Sequence, residues 1–382
     1  MKKSLLALCV LAATAANAAT VYDKDGTSLV IGGRIQSVAY NGNADAAEIA
    51  ENDAGLVNSA RFSLEGTAKI TDAISALGYT EWDMADGNKA ANGDSISTRE
   101  QFVGADFGDF GQILLGKTYD AANEVLAATD IFEDFGARLQ GDINNDRRTG
   151  MIRYVYDVNG VFASLSYQTA SDETPVQDED VNVEGGFAAS LGYTFDNVGF
   201  GPLSFKAGYS YVKGQDDFNT PVIWDNDPDN LESGIDLGYK SFDSYRSTSL
   251  SASWGATDAG LYFGALLNSR LSKTRYFTDF TDKSYFKNKV KGFELVAGYT
   301  FDNGLGVFTG YNLSDSKEKL DVVGYKLTYV YRRVPVFINY SFNENFNVWG
   351  KLNLMQTQAV QKIASWRLVQ CCQSAPAIHS SI

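Results

Sequence analysis

Gly186–Phe195 reads GFAASLGYTF. Phe187, Ala189, Leu191, Tyr193 and Phe195 fall on one face of an extended chain, and Ala188, Ser190, Gly192 and Thr194 on the other. Side chains alternate along a strand, so period two with one apolar face specifies a sheet between two unlike environments. The pattern returns at Leu203, Phe205, Ala207, Tyr209 and Tyr211, opposed by Ser204, Lys206, Gly208 and Ser210. It returns again at Phe293, Leu295, Ala297, Tyr299 and Phe301, opposed by Glu294, Val296, Gly298 and Thr300. The apolar faces end on aromatics, while the other faces are mostly small, polar or charged. A barrel with lipid outside and water inside gives that distribution, whereas a soluble sandwich fills its apolar face with core side chains. At membrane depth every amide must be paired, so the sheet has to close.

The turns orient this sheet. Tyr193-Thr194-Phe195-Asp196-Asn197, Tyr299-Thr300-Phe301-Asp302-Asn303 and Tyr340-Ser341-Phe342-Asn343-Glu344 each end a strand on aromatics and enter a tight turn. These read as periplasmic turns, and the longer acidic stretches Gln215–Asp243 and Arg270–Lys287 as outer loops. Alternation places strands near 27–40, 57–70, 74–83, 97–107, 110–118, 148–157, 161–169, 184–196, 202–214, 244–256, 260–270, 287–301 and 305–314. A further region covers 319–342 and another 346–355. Single-chain bacterial barrels have even strand numbers, which makes about 16 the expected count and leaves one strand to find. The fold class is therefore an all-β, transmembrane antiparallel β-barrel.

The ends and the composition agree with export. Lys2 and Lys3 precede an apolar run from Leu5 to Ala16, and Ala16-Asn17-Ala18 is a small-residue cleavage site, so residues 1–18 read as a signal peptide and 19–355 as the barrel. The run is too short to be a membrane helix, and the mean hydropathy is −0.20. The formal charge of −15 becomes −17 once Lys2 and Lys3 are removed, spread through polar connections, which excludes a basic nucleic-acid surface. Residues 19–370 contain no cysteine, so disulfides do not build the fold. The single histidine, His379, lies near the end of the chain, and the barrel holds no Cys or His cluster for a metal; Cys371, Cys372 and His379 in the tail are the rival reading as a metal site. Catalytic triads, metal centres and cofactors are therefore not expected. Gly104–Gly111, GADFGDFG, lacks the lysine and helix of a phosphate loop and reads as a hairpin.

Alternation stops between Gly116 and Arg148, GKTYDAANEVLAATDIFEDFGARLQGDINNDRR. That is far longer than an ordinary connection. It holds a helix-like piece, Ala121–Ala128, then Asp130, Glu133 and Asp134, and closes on Arg147-Arg148. Inside a closed membrane wall, such a segment is expected to fold into the lumen.

These residues resemble the trimeric general-diffusion porins of Gram-negative outer membranes. The resemblance runs from Ala19 to about Leu354. Its carriers are the opening TVYDKDGTSLVIGGR, the second-strand run Asn58–Gly66 (NSARFSLEG), and the third-loop pieces Thr118-Tyr119-Asp120 and Thr129–Gly136 (TDIFEDFG). It implies a long third loop folded into the lumen and an outer-membrane setting. It also implies a homotrimer, passage of small hydrophilic solutes and ions, and folding by the barrel-assembly machinery.

Parity locates the charges. Ile31, Gly33 and Ile35 read as outward, leaving Arg34 and Gln36 inside; Arg61, Ser63 and Glu65 oppose Ala60, Phe62 and Leu64. Arg99 and Gln101 oppose Phe102 and Gly104, and Arg147, Thr149 and Arg153 oppose Ile152, Tyr154 and Tyr156. An arginine facing lipid at mid-membrane costs roughly 2–4 kcal/mol, which pins Arg34, Arg61, Arg99 and Arg147 inside. The resemblance gives them the role of a basic wall facing Asp130 and Asp134 on the loop, with Glu133 standing where those porins carry proline. Lys69 and Lys117 are further lumen candidates. Acid opposite base makes a transverse field that favours dipolar hydrophilic solutes, and the excess of acid points to mild cation preference.

Two other readings compete. A substrate-specific channel would need an aromatic slide along the lumen, yet the tyrosines fall mainly on the lipid face. A surface adhesin or receptor would act through the acidic outer loops. The tail 356–382 departs from the pattern: it contains no Asp or Glu, holds Cys371, Cys372 and His379, and shows no strand ending in an aromatic. It reads as divergent or out of frame, which places closure against the first strand in question. Tyr331–Pro335, YRRVP, is expected to bulge or bend.

Overall fold

A computed structural model describes residues 12–41, 54–86, 96–132, 147–176, 179–216, 220–224, 235–277, 283–320 and 325–362. Among these, eighteen strands form one sheet. In chain order they are β1 Ala12–Lys24, β2 Thr27–Asn41, β3 Ala54–Lys69, β4 Ser75–Asp86, β5 Ser97–Asp106, β6 Gln112–Thr118, β7 Arg148–Val158, β8 Val161–Gln168 and β9 Ser171–Val176. There follow β10 Glu179–Val198, β11 Gly201–Gly214, β12 Thr220–Trp224, β13 Ile235–Gly255, β14 Gly260–Phe277, β15 Lys283–Thr300, β16 Leu305–Leu320, β17 Tyr325–Asn343 and β18 Phe346–Lys362. β8 pairs directly with β10, and β11 with β13, so β9 and β12 are ladders built beyond the wall. The other sixteen strands close into an antiparallel ring.

The strand left to find lies at the opposite end from the one expected. β1 pairs with β2 along Ala13–Lys24 and meets β18 at Ala12–Trp349, Ala13–Val348 and Thr14–Asn347. Its sequence, AATAANAATVYDK, has small residues on both faces, so alternation is invisible there and the signal-peptide pattern dominates. The closing pairs come from residues that the expected cleavage after Ala18 would remove. β18 continues past 355, pairing with β17 as far as Lys326–Lys362; Cys371, Cys372 and His379 lie outside the described residues.

The alternation elsewhere holds. Phe187, Leu191, Phe205, Leu250 and Leu295 face outward and exposed, while Ser190, Ser210, Ser249 and Glu294 are buried inward. The three periplasmic aromatic motifs build one shape: the rings of Tyr193–Phe195, Tyr299–Phe301 and Tyr340–Phe342 all meet edge-on at 4.7 Å. These outward pairs form the girdle at one membrane boundary. Gly104–Gly111 is the β5–β6 hairpin, its turn held by Phe107 N–H donating to the Gly111 carbonyl at 2.9 Å.

Two local readings are corrected. In β5, Val103 is outward, 62% exposed and paired with outward Leu115, so Gln101 also points out, and Phe102 and Gly104 point in. Arg99 still reaches inward because it is the extra residue of a β-bulge on β5: Glu81 and Trp82 of β4 pair with Glu100 and Thr98, leaving Arg99 between them unpaired in the ladder. At Pro335 there is neither bulge nor bend. The β16–β17 register is the same on both sides, and only the pairs opposite Gly310 and Tyr311 drop out, as expected for a residue without N–H. Thr309 Oγ1 donates to the Pro335 carbonyl at 2.9 Å and ties the gap.

Candidate functional site

The third loop leaves the wall after Thr118 and turns inward at Asp120. Asp120 caps the 3-10 helix Ala121–Ala128, accepting from the Ala122 N–H at 3.0 Å. The same carboxylate accepts from Arg148 at 2.7 Å and from Ser210 Oγ at 2.6 Å, and both Asp120 and Arg148 are 2% exposed. Both ends of the loop and the far wall thus share one buried ion pair.

From there the helix crosses the inner wall strand by strand. The Ala121 N–H donates to Ser166 of β8 at 2.9 Å, and Ser190 of β10 donates to the Ala121 carbonyl at 2.6 Å. Arg153 of β7 holds Glu124 at 2.8 Å. Tyr262 of β14 donates to the Ala128 carbonyl, and Thr129 Oγ1 to Glu294 of β15, each at 2.8 Å. Val125 and Leu126 pack on Leu266 and Val290. The backbone comes close enough to need glycine beneath it. A Cβ at Gly208 would lie 2.7 Å from Val125 Cγ2, and one at Gly264 would run into the Ala128 carbonyl.

Beyond the helix, Phe132 inserts into an apolar cluster on the lumen side of the wall: Val38, Tyr262, Val296, Phe308, Phe337 and Trp349. Its ring meets Phe337 edge-on at 6.1 Å, and Phe337 meets Trp349 at 5.9 Å. These aromatics are inward, contrary to a purely polar inner face, but they are covered by the loop and form no slide. The signal was present in sequence: Val296 breaks the polar face of β15, and Phe308, Phe337 and Trp349 break theirs.

Arg34, Arg61 and Arg99 lie on strands before the loop, and Arg147 at its end. Arg34 and Arg61 are cross-strand partners, and Arg34 Nη2 donates to Gln36 at 2.5 Å. Arg61 pairs with Asp83 at 3.2 Å; Arg99 bridges Glu81 at 2.5 Å and Asp83 at 3.2 Å. Arg147 lies 3.7 Å from Glu100 and covers the Tyr119 ring at 4.3 Å. The wall carries its own acids, Glu81, Asp83 and Glu100, which the sequence reading did not assign. Tyr119 sits where these charges meet. Burial pushes its hydroxyl up, Arg147 pulls it down, and Glu100, Arg99 and Asp130 act after them.

The other candidates separate. Asp130 is exposed in the turn after the helix, whereas Glu133 and Asp134 lie outside the described residues. Lys69 shares the face of Arg61 but sits at the β3–β4 turn, paired with Asp72 at 2.6 Å. Lys117, beside Arg147, donates to the Thr98 carbonyl at 2.7 Å.

Comparison with known proteins places this geometry. A family model described as Gram-negative porin matches residues 4–353. Outer membrane porin PhoE of Klebsiella oxytoca is 27% identical over 378 residues, covering 95% of both chains. PhoE of Escherichia coli K12 is 29% identical over 379 residues, again 95% of both. Among solved structures, Salmonella typhi OmpF in complex with daunomycin aligns with a TM-score of 0.57 at 19% identity, over 88% of this chain and 100% of that one. A loop L8 deletion mutant of OmpT, an outer membrane protein of Vibrio cholerae, gives 0.62 at 13% identity, over 87% and 95%.

Proposed function

This chain belongs to the Gram-negative porin family, and from that premise we propose that its third loop and the arginine wall make the selective waist of the channel. It is an outer-membrane protein for passive diffusion and not an enzyme. The observation that supports the waist is the placement of the loop. Its anchors run from β7 round to Phe337 of β17, while Arg34, Arg61 and Arg99 sit on β2, β3 and β5, on the stretch of wall between the loop's two ends. Asp130, with Glu133 and Asp134 following it, supplies acid to face that wall. Solutes that align a dipole in such a field are small, hydrophilic and zwitterionic or ionic.

The waist prefers cations mildly in this reading. Arg61, Arg99 and Arg147 are already paired with Asp83, Glu81 and Glu100, so the wall presents less positive field than its arginines suggest. Arg99→Glu changes the wall by two charges, worth roughly 0.8 kcal/mol at ~10 Å in water. Because the same change favours a cation and disfavours an anion, the expected cation-to-anion permeability ratio rises about 15-fold. Reversal potentials in a salt gradient measure it; anion preference in the unmodified channel overturns the reading.

The functional unit is proposed to be a homotrimer inserted by the barrel-assembly machinery, since the family and its resemblance imply both. Cleavage after Ala18 takes away the three residues that pair β1 with β18. The expected result is that a chain beginning at Ala19 converts to its unfolded mobility at lower temperature on semi-native gels than one retaining residues 12–18. Equal transition temperatures contradict that role for the seam.

A further inference from the structure

On the periplasmic side of the arginine wall, the inner face of β4 to β7 stops being polar. Leu77 and Tyr79 on β4, Phe102 on β5, Leu114 on β6 and Val155 on β7 all point inward by register. The loop helix packs on the arc from β7 to β14, away from β4 and β5, and the rings of Tyr79 and Phe102 are only half-buried. Apolar side chains facing a water-filled lumen add nothing to the fold unless something covers them. A patch left uncovered therefore points to a ligand.

Register gives this patch a charged edge. Tyr79 is the cross-strand partner of Phe102 on one side and of Glu65 on the other. The two rings stack at 5.3 Å and 30°, so one face of Tyr79 is taken by Phe102 and the other is turned toward β3. Side chains of directly opposed residues start about 5 Å apart, which sets the Glu65 carboxylate beside that second face. The Tyr79 hydroxyl donates to Glu81 at 3.3 Å and fixes the ring. Glu65 is exposed, and among the described residues it has no ion-pair partner. The cations nearest it along β3 are engaged: Arg61, four residues above, with Asp83 at 3.2 Å, and Lys69, four below, with Asp72 at 2.6 Å. A strand tilted about 40° climbs roughly 2.6 Å per residue, so the slot lies about 10 Å below Arg61.

We propose that the slot between Glu65 and Tyr79 binds organic monocations, ammonium groups carrying an aromatic or apolar body, as they cross the periplasmic half of the channel. A carboxylate without a counterion and the negative face of an aromatic ring both attract the ammonium. Leu77 and Phe102 give its apolar body a dry contact. A small hydrated cation gains the carboxylate and little else, whereas an aromatic anion gains the patch and is repelled by Glu65. The proposal rests on the lumen being an open diffusion path, and it names a solute class that the waist alone does not select.

Current recordings from the full chain in planar bilayers test it, with phenethylammonium, methylammonium and 3-phenylpropionate as probes. Phenethylammonium should interrupt the open current in a concentration-dependent way, and the other two should not at the same concentration. An exposed ion pair and a cation–π contact each contribute up to about fivefold in affinity. Glu65→Gln is expected to weaken the block about fivefold, and Tyr79→Leu, which keeps apolar bulk, about threefold. Unit conductance in salt registers that each variant has folded and inserted. Equal block of the parent and both variants by phenethylammonium overturns the proposal, as does equal block of the parent by methylammonium. Block by 3-phenylpropionate as strong as by phenethylammonium also overturns it, by reducing the slot to an apolar patch. The parent's reversal potential reports the waist separately: anion preference with a Glu65-dependent block would sink the waist and spare the slot.

Discussion

Asp120→Ala should free the third loop from the wall and produce a wider, noisier channel. The carboxylate does three tasks at once: it caps the loop helix, neutralises Arg148 and holds Ser210. Arg148 is 2% exposed and lies against the wall, so without Asp120 it becomes a buried cation that has lost its carboxylate. Breaking a buried pair from one side costs about 3–5 kcal/mol, and losing a cap adds about 1. The sixteen-strand ladder does not depend on that pair, so the cost falls on the loop. Single-channel recordings in planar bilayers should show higher unit conductance with rapid fluctuations, and selectivity should approach that of bulk salt. Asp120→Asn retains an acceptor for the Ala122 N–H but loses the charge, and should fall between. Conductance unchanged in Asp120→Ala would mean that the contacts to Ser166, Ser190 and Glu294 hold the loop by themselves.

What could be read in advance divides along a physical line. A lipid-facing wall imposes period two on every strand, so Phe187–Phe195 and Phe293–Phe301 declare their faces without any knowledge of partners. The same penalty on charge in lipid puts Arg34 and Arg61 on one face, and the two are cross-strand partners. Where the backbone departs from ideal pairing, parity misleads. The hairpin register that pairs Val103 with Leu115 turns Gln101 outward and Phe102 inward, and the bulge at Arg99 lets that residue reach the lumen by a different route from the one parity implied. β1 escaped because small residues alternate with small residues. The loop's anchors escaped for another reason: Asp120 with Arg148, Thr129 with Glu294 and Phe132 with Phe337 join positions far apart in sequence, with no periodicity to reveal them. Apolar residues breaking a polar lumen face were the available signal. Such residues cost nothing in water-filled space only if something covers them. Here Phe132 does.

The second large effect runs in the opposite direction. Gly264→Val is expected to narrow the channel without releasing the loop. A Cβ at Gly264 points at the Ala128 carbonyl, a backbone atom with no rotamer through which to escape, whereas a Cβ at Gly208 meets the Cγ2 of Val125 at 2.7 Å and touches Ala122 at an ordinary 3.4 Å. Valine therefore has to lift the end of the helix off β14. Lifting it breaks the Tyr262–Ala128 and Thr129–Glu294 hydrogen bonds and pushes Asp130 further into the lumen. Overpacking of this kind costs about 1–3 kcal/mol, less than losing Asp120, because the ion pair with Arg148 survives and keeps the loop tethered. Unit conductance should fall, uptake of larger hydrophilic solutes into liposomes should slow more than that of small ones, and Gly208→Ala should have a much weaker effect on both. The opposed signs of Asp120→Ala and Gly264→Val separate a loop that sets the bore from one that merely lies in it. If both variants raise conductance, the helix is not a rigid body held between its cap and β14, and its position against Gly264 does not determine the width of the waist.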